Sequence, residues 1–159
     1  MKLIIGLGNP GKKYQNTRHN LGQTVAKLLT EKYGPKTSSL MFTITDCYMN
    51  ESGPAVQKVL HFYKIPPADL YLIHDDLDLG VGEYKIQFDR GPAGHHGVES
   101  VIQSLGTQAF NRIRIGIGKP TPPISPEDYV LLPFSAADKL IINQTIDKII
   151  ADIDKISGS

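Results

Sequence analysis

The sequence predicts an α/β fold, one sheet covered by helices on both faces. Short apolar runs alternate with segments of helical periodicity along the chain. Clusters of glycine and proline separate them. Polar loops carrying Asn9, Asn50, Asp75 and residues 91–97 then fall at or near strand carboxyl ends, where sheets of this kind place their sites.

Leu3-Ile4-Ile5 reads as a buried first strand, broken by Gly6-Leu7-Gly8-Asn9-Pro10-Gly11, which cannot be helical. Helical spacing starts near Asn20, with Leu21, Val25, Leu28, Leu29 and Tyr33 on one face and Gly34-Pro35 as its stop. Leu40 to Thr45 has the β-branched and aromatic content of a strand. Ser52 is the expected N-cap of a helix carrying Ala55, Val56, Val59, Leu60 and Tyr63. Leu70 to Ile73 is a second buried strand that ends in His74-Asp75-Asp76-Leu77-Asp78. Tyr84 to Phe88 alternates as a half-exposed strand, and 90–97 is a loop flowing into a short helix with Val98, Val101, Ile102 and Leu105. Arg112 to Ile117 alternates again, and 119–128 is irregular and proline-rich. Ser135-Ala136-Ala137-Asp138 resembles a capping box opening a last helix, with Ile142, Ile146, Ile149, Ile150, Ile153 and Ile156 on one face.

A chain of 159 residues suits one domain, expected over 1–156 with a frayed tail at 157–159. Hydrophobic content of 40% and charged content of 21% are those of an ordinary soluble protein. The lone Cys47 makes no internal disulfide and points to the cytoplasm. No apolar run approaches the ~20 residues of a membrane span, and the N-terminus does not read as a cleaved signal. Net charge of +1 gives no global nucleic-acid signal, so any RNA contact has to come from local clustering.

Gly6-x-Gly8-x-x-Gly11 matches the dinucleotide fingerprint as a string, but the helix does not open at the glycines, as a pyrophosphate site requires. His19 is the candidate general base, because imidazole titrates near neutrality. Asp75, at a strand end, is its candidate orienting partner. The bland alternatives are a polar residue at a helix start for His19 and a solvated turn for Asp75-Asp76-x-Asp78. His74, Asp75, Asp76 and Asp78 are also hard-ligand types, but they lack compact spacing on a helix, and no metal is expected. There is no Gly-x-Ser-x-Gly, and Cys47 has no basic neighbour, which leaves water as the nucleophile and an activated ester as the suited substrate.

The stretch GLGNPGKKYQNTRHNLG resembles the N-terminal signature of bacterial-type peptidyl-tRNA hydrolases, with Gly8, Asn9, Pro10, Gly11, Tyr14, Thr17, Arg18, His19, Asn20 and Gly22 in place. Tyr48-Met49-Asn50-x-Ser52-Gly53, His74 to Leu79 and Arg112 to Gly118 are similar to its later motifs. The resemblance implies a single α/β domain around a mixed, mostly parallel twisted sheet. It also implies hydrolysis of the ester between a peptide (or N-blocked amino acid) and the tRNA 3′ end, without a cofactor. His19 would be the base and Asp75 its partner. Asn9, Tyr14 and Asn50 would hold substrate, Met49 would line the pocket, and Arg114 would grip phosphate. A monomer with peptidyl-tRNA as its partner is expected.

This chain departs from the pattern in places. His96 stands where the family has a substrate-binding asparagine, and it offers the same donor and acceptor only in one tautomer. Gln87 occupies the place of the phosphate-clamp lysine, with Lys85 on the same strand face as a partial substitute. The region before Cys47 and the C-terminus are both shorter than the family's. These departures motivate the alternative of a non-catalytic RNA-binding relative.

Overall fold

The computed structural model describes residues 1–157. Five strands form one sheet: β1 (Lys2–Gly6), β2 (Leu40–Ile44), β3 (Leu70–Asp76), β4 (Tyr84–Phe88) and β5 (Asn111–Gly116). Their order is β2-β1-β3-β5-β4, parallel throughout except for the antiparallel edge strand β4. The helices are α1 (Leu21–Tyr33), α2 (Ser52–Tyr63), α3 (His96–Leu105), the short α4 (Pro126–Tyr129) and α5 (Ala136–Ser157). The expected mixed, mostly parallel sheet is therefore present.

Because side chains alternate along a strand, β1 feeds two cores. Ile4 joins Val25 and Leu29 of α1 and Ile146, Ile149 and Ile153 of α5 on one face. Leu3 and Ile5 join Val56 and Leu60 of α2 and Val98 and Val101 of α3 on the other. Among the described residues no helix is long and apolar enough to cross a membrane.

Several local expectations are corrected. Ser52 is the first residue of α2, not its cap; its Oγ donates to the Met49 carbonyl at 2.6 Å, closing a 3-10 turn at Met49–Glu51. α3 starts at His96, and the 119–128 stretch holds α4, whose Ser125 side chain accepts from the Asp128 amide. Ser135 Oγ accepts from Asp138 N at 3.1 Å, the forward half of a capping box. Ser157 closes α5 instead of opening a tail, while 158–159 lie outside the described residues.

β1 pairs with β2 on one side and β3 on the other, so the loops leaving β1 and β3 diverge at a switch point of the sheet. α1 starts in direct backbone contact there. A Cβ on Gly6 would lie 2.0 Å from the Gly22 carbonyl oxygen, and one on Gly22 would lie 2.3 Å from that of Ile73. This contact fixes the height of the turn before α1, a 3-10 turn at Arg18–Asn20, over the end of β3.

Candidate active site

That turn carries His19, and the last residues of β3 carry His74, Asp75 and Asp76. Although 56 residues apart in sequence, His19 Nδ1 and Asp75 Oδ2 are 2.9 Å apart. A carboxylate only accepts, so Nδ1 carries the proton and Nε2 keeps its lone pair. Asp75 Oδ1 is 2.9 Å from His95 Nε2. The His95 tautomer follows from its other nitrogen. Nδ1 accepts from the amides of Gly97 (3.1 Å) and Val98 (3.2 Å), capping α3, so the proton sits on Nε2 and points at Asp75. One buried carboxylate thus receives two imidazole N–H groups, one on each oxygen.

The electrostatics follow from this geometry. Burial opposes charge on Asp75, but His19 and His95, by charge and hydrogen bond, hold its carboxyl well below the usual range. Burial likewise works against a charged His19, yet the adjacent Asp75 charge and hydrogen bond outweigh it and raise the imidazole above its ordinary value. His74 Nδ1 donates to the Asp75 carbonyl at 2.8 Å, and its Nε2 is buried without a partner among the described residues. Burial, with His95 nearby, pushes His74 down to about 3.

His19, Asp75, Asp76, Leu77, residues 93–96, Pro126, Glu127 and Val130 line a cavity of about 80 Å³. His96 is on that lining, strongly exposed, with Nδ1 3.9 Å from Glu99 Oε2. The other residues singled out in the sequence lie outside it. Asn9 is buried; its Oδ1 accepts from Met49 N at 2.8 Å, leaving its Nδ2 without a partner among the described residues. Met49 is packed in the core, with its sulfur against Gly97, and Asn50 beside it is exposed. Tyr14 meets Tyr48 edge to face at 6.4 Å.

Arg114 is 7% exposed, with Nε 2.8 Å from Asp76 Oδ2 and Nη1 2.6 Å from Gln87 Oε1. Gln87, on the neighbouring strand β4, therefore holds Arg114 in place. Lys85 is exposed on β4 and sits opposite Arg114 in register. His74, Asp76, Arg90, Arg112 and Arg114 border a second cavity of about 290 Å³.

His95 and Asn20 are the positioning residues the sequence reading passes over. Asn20 accepts from Asn9 N at 2.8 Å and donates to Asn9 O at 2.9 Å, fixing the glycine-rich loop against the turn that carries His19. The readable signal for His95 is a polar residue directly before a helical apolar pattern, the N-cap place.

His19, Asp75 and His95 also place one ligand atom each within 4.8 Å of one another, the spacing of a metal group. Both imidazole nitrogens in that group carry protons in this hydrogen-bond pattern, so an ion there would have to displace them.

The family model described as peptidyl-tRNA hydrolase matches residues 3–158. A peptidyl-tRNA hydrolase of Brevibacillus brevis is 42% identical, covering 92% of this chain and 86% of its own. One from Mycobacterium marinum is 43% identical, covering 86% and 81%. The crystal structure of peptidyl-tRNA hydrolase from Acinetobacter baumannii superposes with a TM-score of 0.83 at 31% identity, covering 92% of this chain and 83% of that one.

Proposed function

This chain belongs to the peptidyl-tRNA hydrolase family, and on that footing we propose that it hydrolyses the ester joining a peptide or N-blocked amino acid to the 3′ end of tRNA, with His19 as general base and Asp75 as its orienting partner. The observation that carries the reading is the 2.9 Å bond between His19 Nδ1 and Asp75 Oδ2, which leaves Nε2 as the only ring position able to take a proton at the cavity. Water gives its proton to Nε2 while its oxygen attacks the acyl carbon. The tetrahedral intermediate collapses by breaking the bond to the ribose oxygen, and the imidazolium returns the proton to that oxygen. The products are a free carboxylic acid and tRNA.

Asn9 Nδ2, Asn50, Tyr14 and the exposed His96 are assigned to holding the substrate, with Met49 supporting the wall behind them. Arg114 and Lys85 are assigned to tRNA phosphate. The arginine's Nη2 remains for that purpose once Asp76 and Gln87 have taken Nε and Nη1. A monomeric, cytoplasmic enzyme without a cofactor completes the reading. A non-catalytic RNA binder is not favoured, because binding alone gives no use for a base with a dedicated carboxylate.

His19→Ala tests it. Release of N-acetyl amino acid from N-acetyl-aminoacyl-tRNA should fall to background while circular dichroism and Tm stay close to wild type. Full turnover in that variant would end the assignment.

A further inference from the structure

Arg18 is the neighbour of the base, yet it points away from the cavity and is 8% exposed. Among the described residues no carboxylate lies within ion-pair distance of it. Its charge is met instead by backbone oxygens and rings of one segment, 126–134. Nη1 donates to the carbonyls of Tyr129 (3.3 Å) and Leu132 (3.2 Å). The guanidinium carbon lies 4.0 Å from the Tyr129 ring centre and 5.3 Å from that of Phe134. Backbone bonds run in parallel: Arg18 N to Leu132 O at 3.1 Å, His19 N to Val130 O at 2.8 Å, and a bridge between Thr17 and Pro133. Tyr129 is held in turn by its Oη donating to Ile117 O at 2.6 Å, one residue past β5. The segment's other side, Pro126, Glu127 and Val130, walls the cavity against His19.

A buried cation without an anion is costly to keep, and a neutral side chain packs a segment as well if packing is all that is needed. What a guanidinium adds here is a plane: one nitrogen, Nη1, reaches two carbonyls while the face stacks on rings, and Nε is left buried without a partner among the described residues. We propose that Arg18 is a positioning residue for the reaction, tying the 126–134 wall to the turn that carries His19 so that cavity wall and base keep one fixed relation. The proposal rests on His19 being the base.

Arg18→Lys is the test, because lysine keeps the charge but loses the plane that stacks on the Tyr129 and Phe134 rings while Nη1 reaches both carbonyls. Wild-type turnover of N-acetyl-aminoacyl-tRNA is measured first; its absence would sink the His19 reading and not the tie. In R18K, amide exchange at His19 and at 129–132 should quicken while β1 and β3 stay protected. The NMR titration midpoint of His19 should shift. Misplacement of the base and wall should cost about ten- to a hundredfold in kcat, with KM rising as well. If R18K folds with kcat, KM, His19 titration and 129–132 exchange unchanged, the proposal is wrong. A uniform rise in exchange with unaltered kinetics overturns it equally, since that is the mark of a merely structural arginine. Should R18K fail to fold, Phe134→Leu removes one ring at the guanidinium without touching Arg18, His19 or the Tyr129 bond to Ile117. The same local changes are expected there, and their absence refutes the tie.

Discussion

At the scale of single residues, the site turns on the two acceptor oxygens of Asp75, each already given an N–H donor. Asp75→Asn would replace one acceptor by an NH₂ group and set donor against donor, at either His19 or His95. The expected result is a folded protein whose kcat drops by about 10²–10⁴, the usual worth of a well-placed base. The pH profile carries a second signature. In its proposed role of base, His19 works only when unprotonated, so kcat/KM should rise with pH through the His19 value, which Asp75 holds above its ordinary position. In the asparagine variant that limb should move to lower pH, with a lower plateau; a limb left in place would break the link between carboxylate and base. The meeting of His19 and Asp75 could be expected from the sequence because each stands at an element boundary where polar side chains are conspicuous. His95 could not be read as fully. Its part depends on two bonds, a backbone cap and a contact to β3, and only the first leaves any mark on local sequence.

At the scale of elements, that double duty can be separated. His95→Ala removes the cap of α3 and should cost about 0.5–2 kcal/mol in urea unfolding. His95→Asn should recover most of that stability, since asparagine is a good N-cap, yet it is too short to reach Asp75 and turnover should stay depressed. Equal recovery of stability and rate would mean the Asp75 contact is idle. All five strands and the four longer helices were legible in the chain, because alternation and helical spacing report burial directly. The misreadings cluster where neighbouring groups compete for one backbone position. Ser52 looks like a cap, but a preceding 3-10 turn takes its hydroxyl inward to Met49. Proline-rich 119–128 looks irregular, but a proline is welcome in a first helical turn, and Ser125 caps the one that forms.

At the scale of the whole molecule, buried imidazoles make stability depend on pH in opposite directions. His74 is held at about 3 against 6.5 when unfolded, so between those values the unfolded chain binds a proton that the folded one refuses. Stability should therefore decline as pH falls from 6.5 towards 3, and Asp75 adds a further loss below 3.8, as its depressed carboxyl is forced to protonate. His19 acts the other way: its contribution is complete below 6.5 and fades as pH rises through its raised value. Urea midpoints from pH 7 to 4 should show the acid decline beginning near 6.5, and His74→Gln should flatten it; an unchanged slope would locate the sensitivity elsewhere. The gap between His19 and Asp75 has a simpler origin. Where α1 meets the sheet, Gly6 and Gly22 let two main chains touch without any side chain between them. One added methyl at Gly22 works as a shim: it lifts the helix start and everything mounted on it off the strand that holds Asp75. Gly22→Ala should thus slow turnover although Gly22 does not line the cavity, and the protein's tolerance of so small an atom measures how finely its chemistry is spaced.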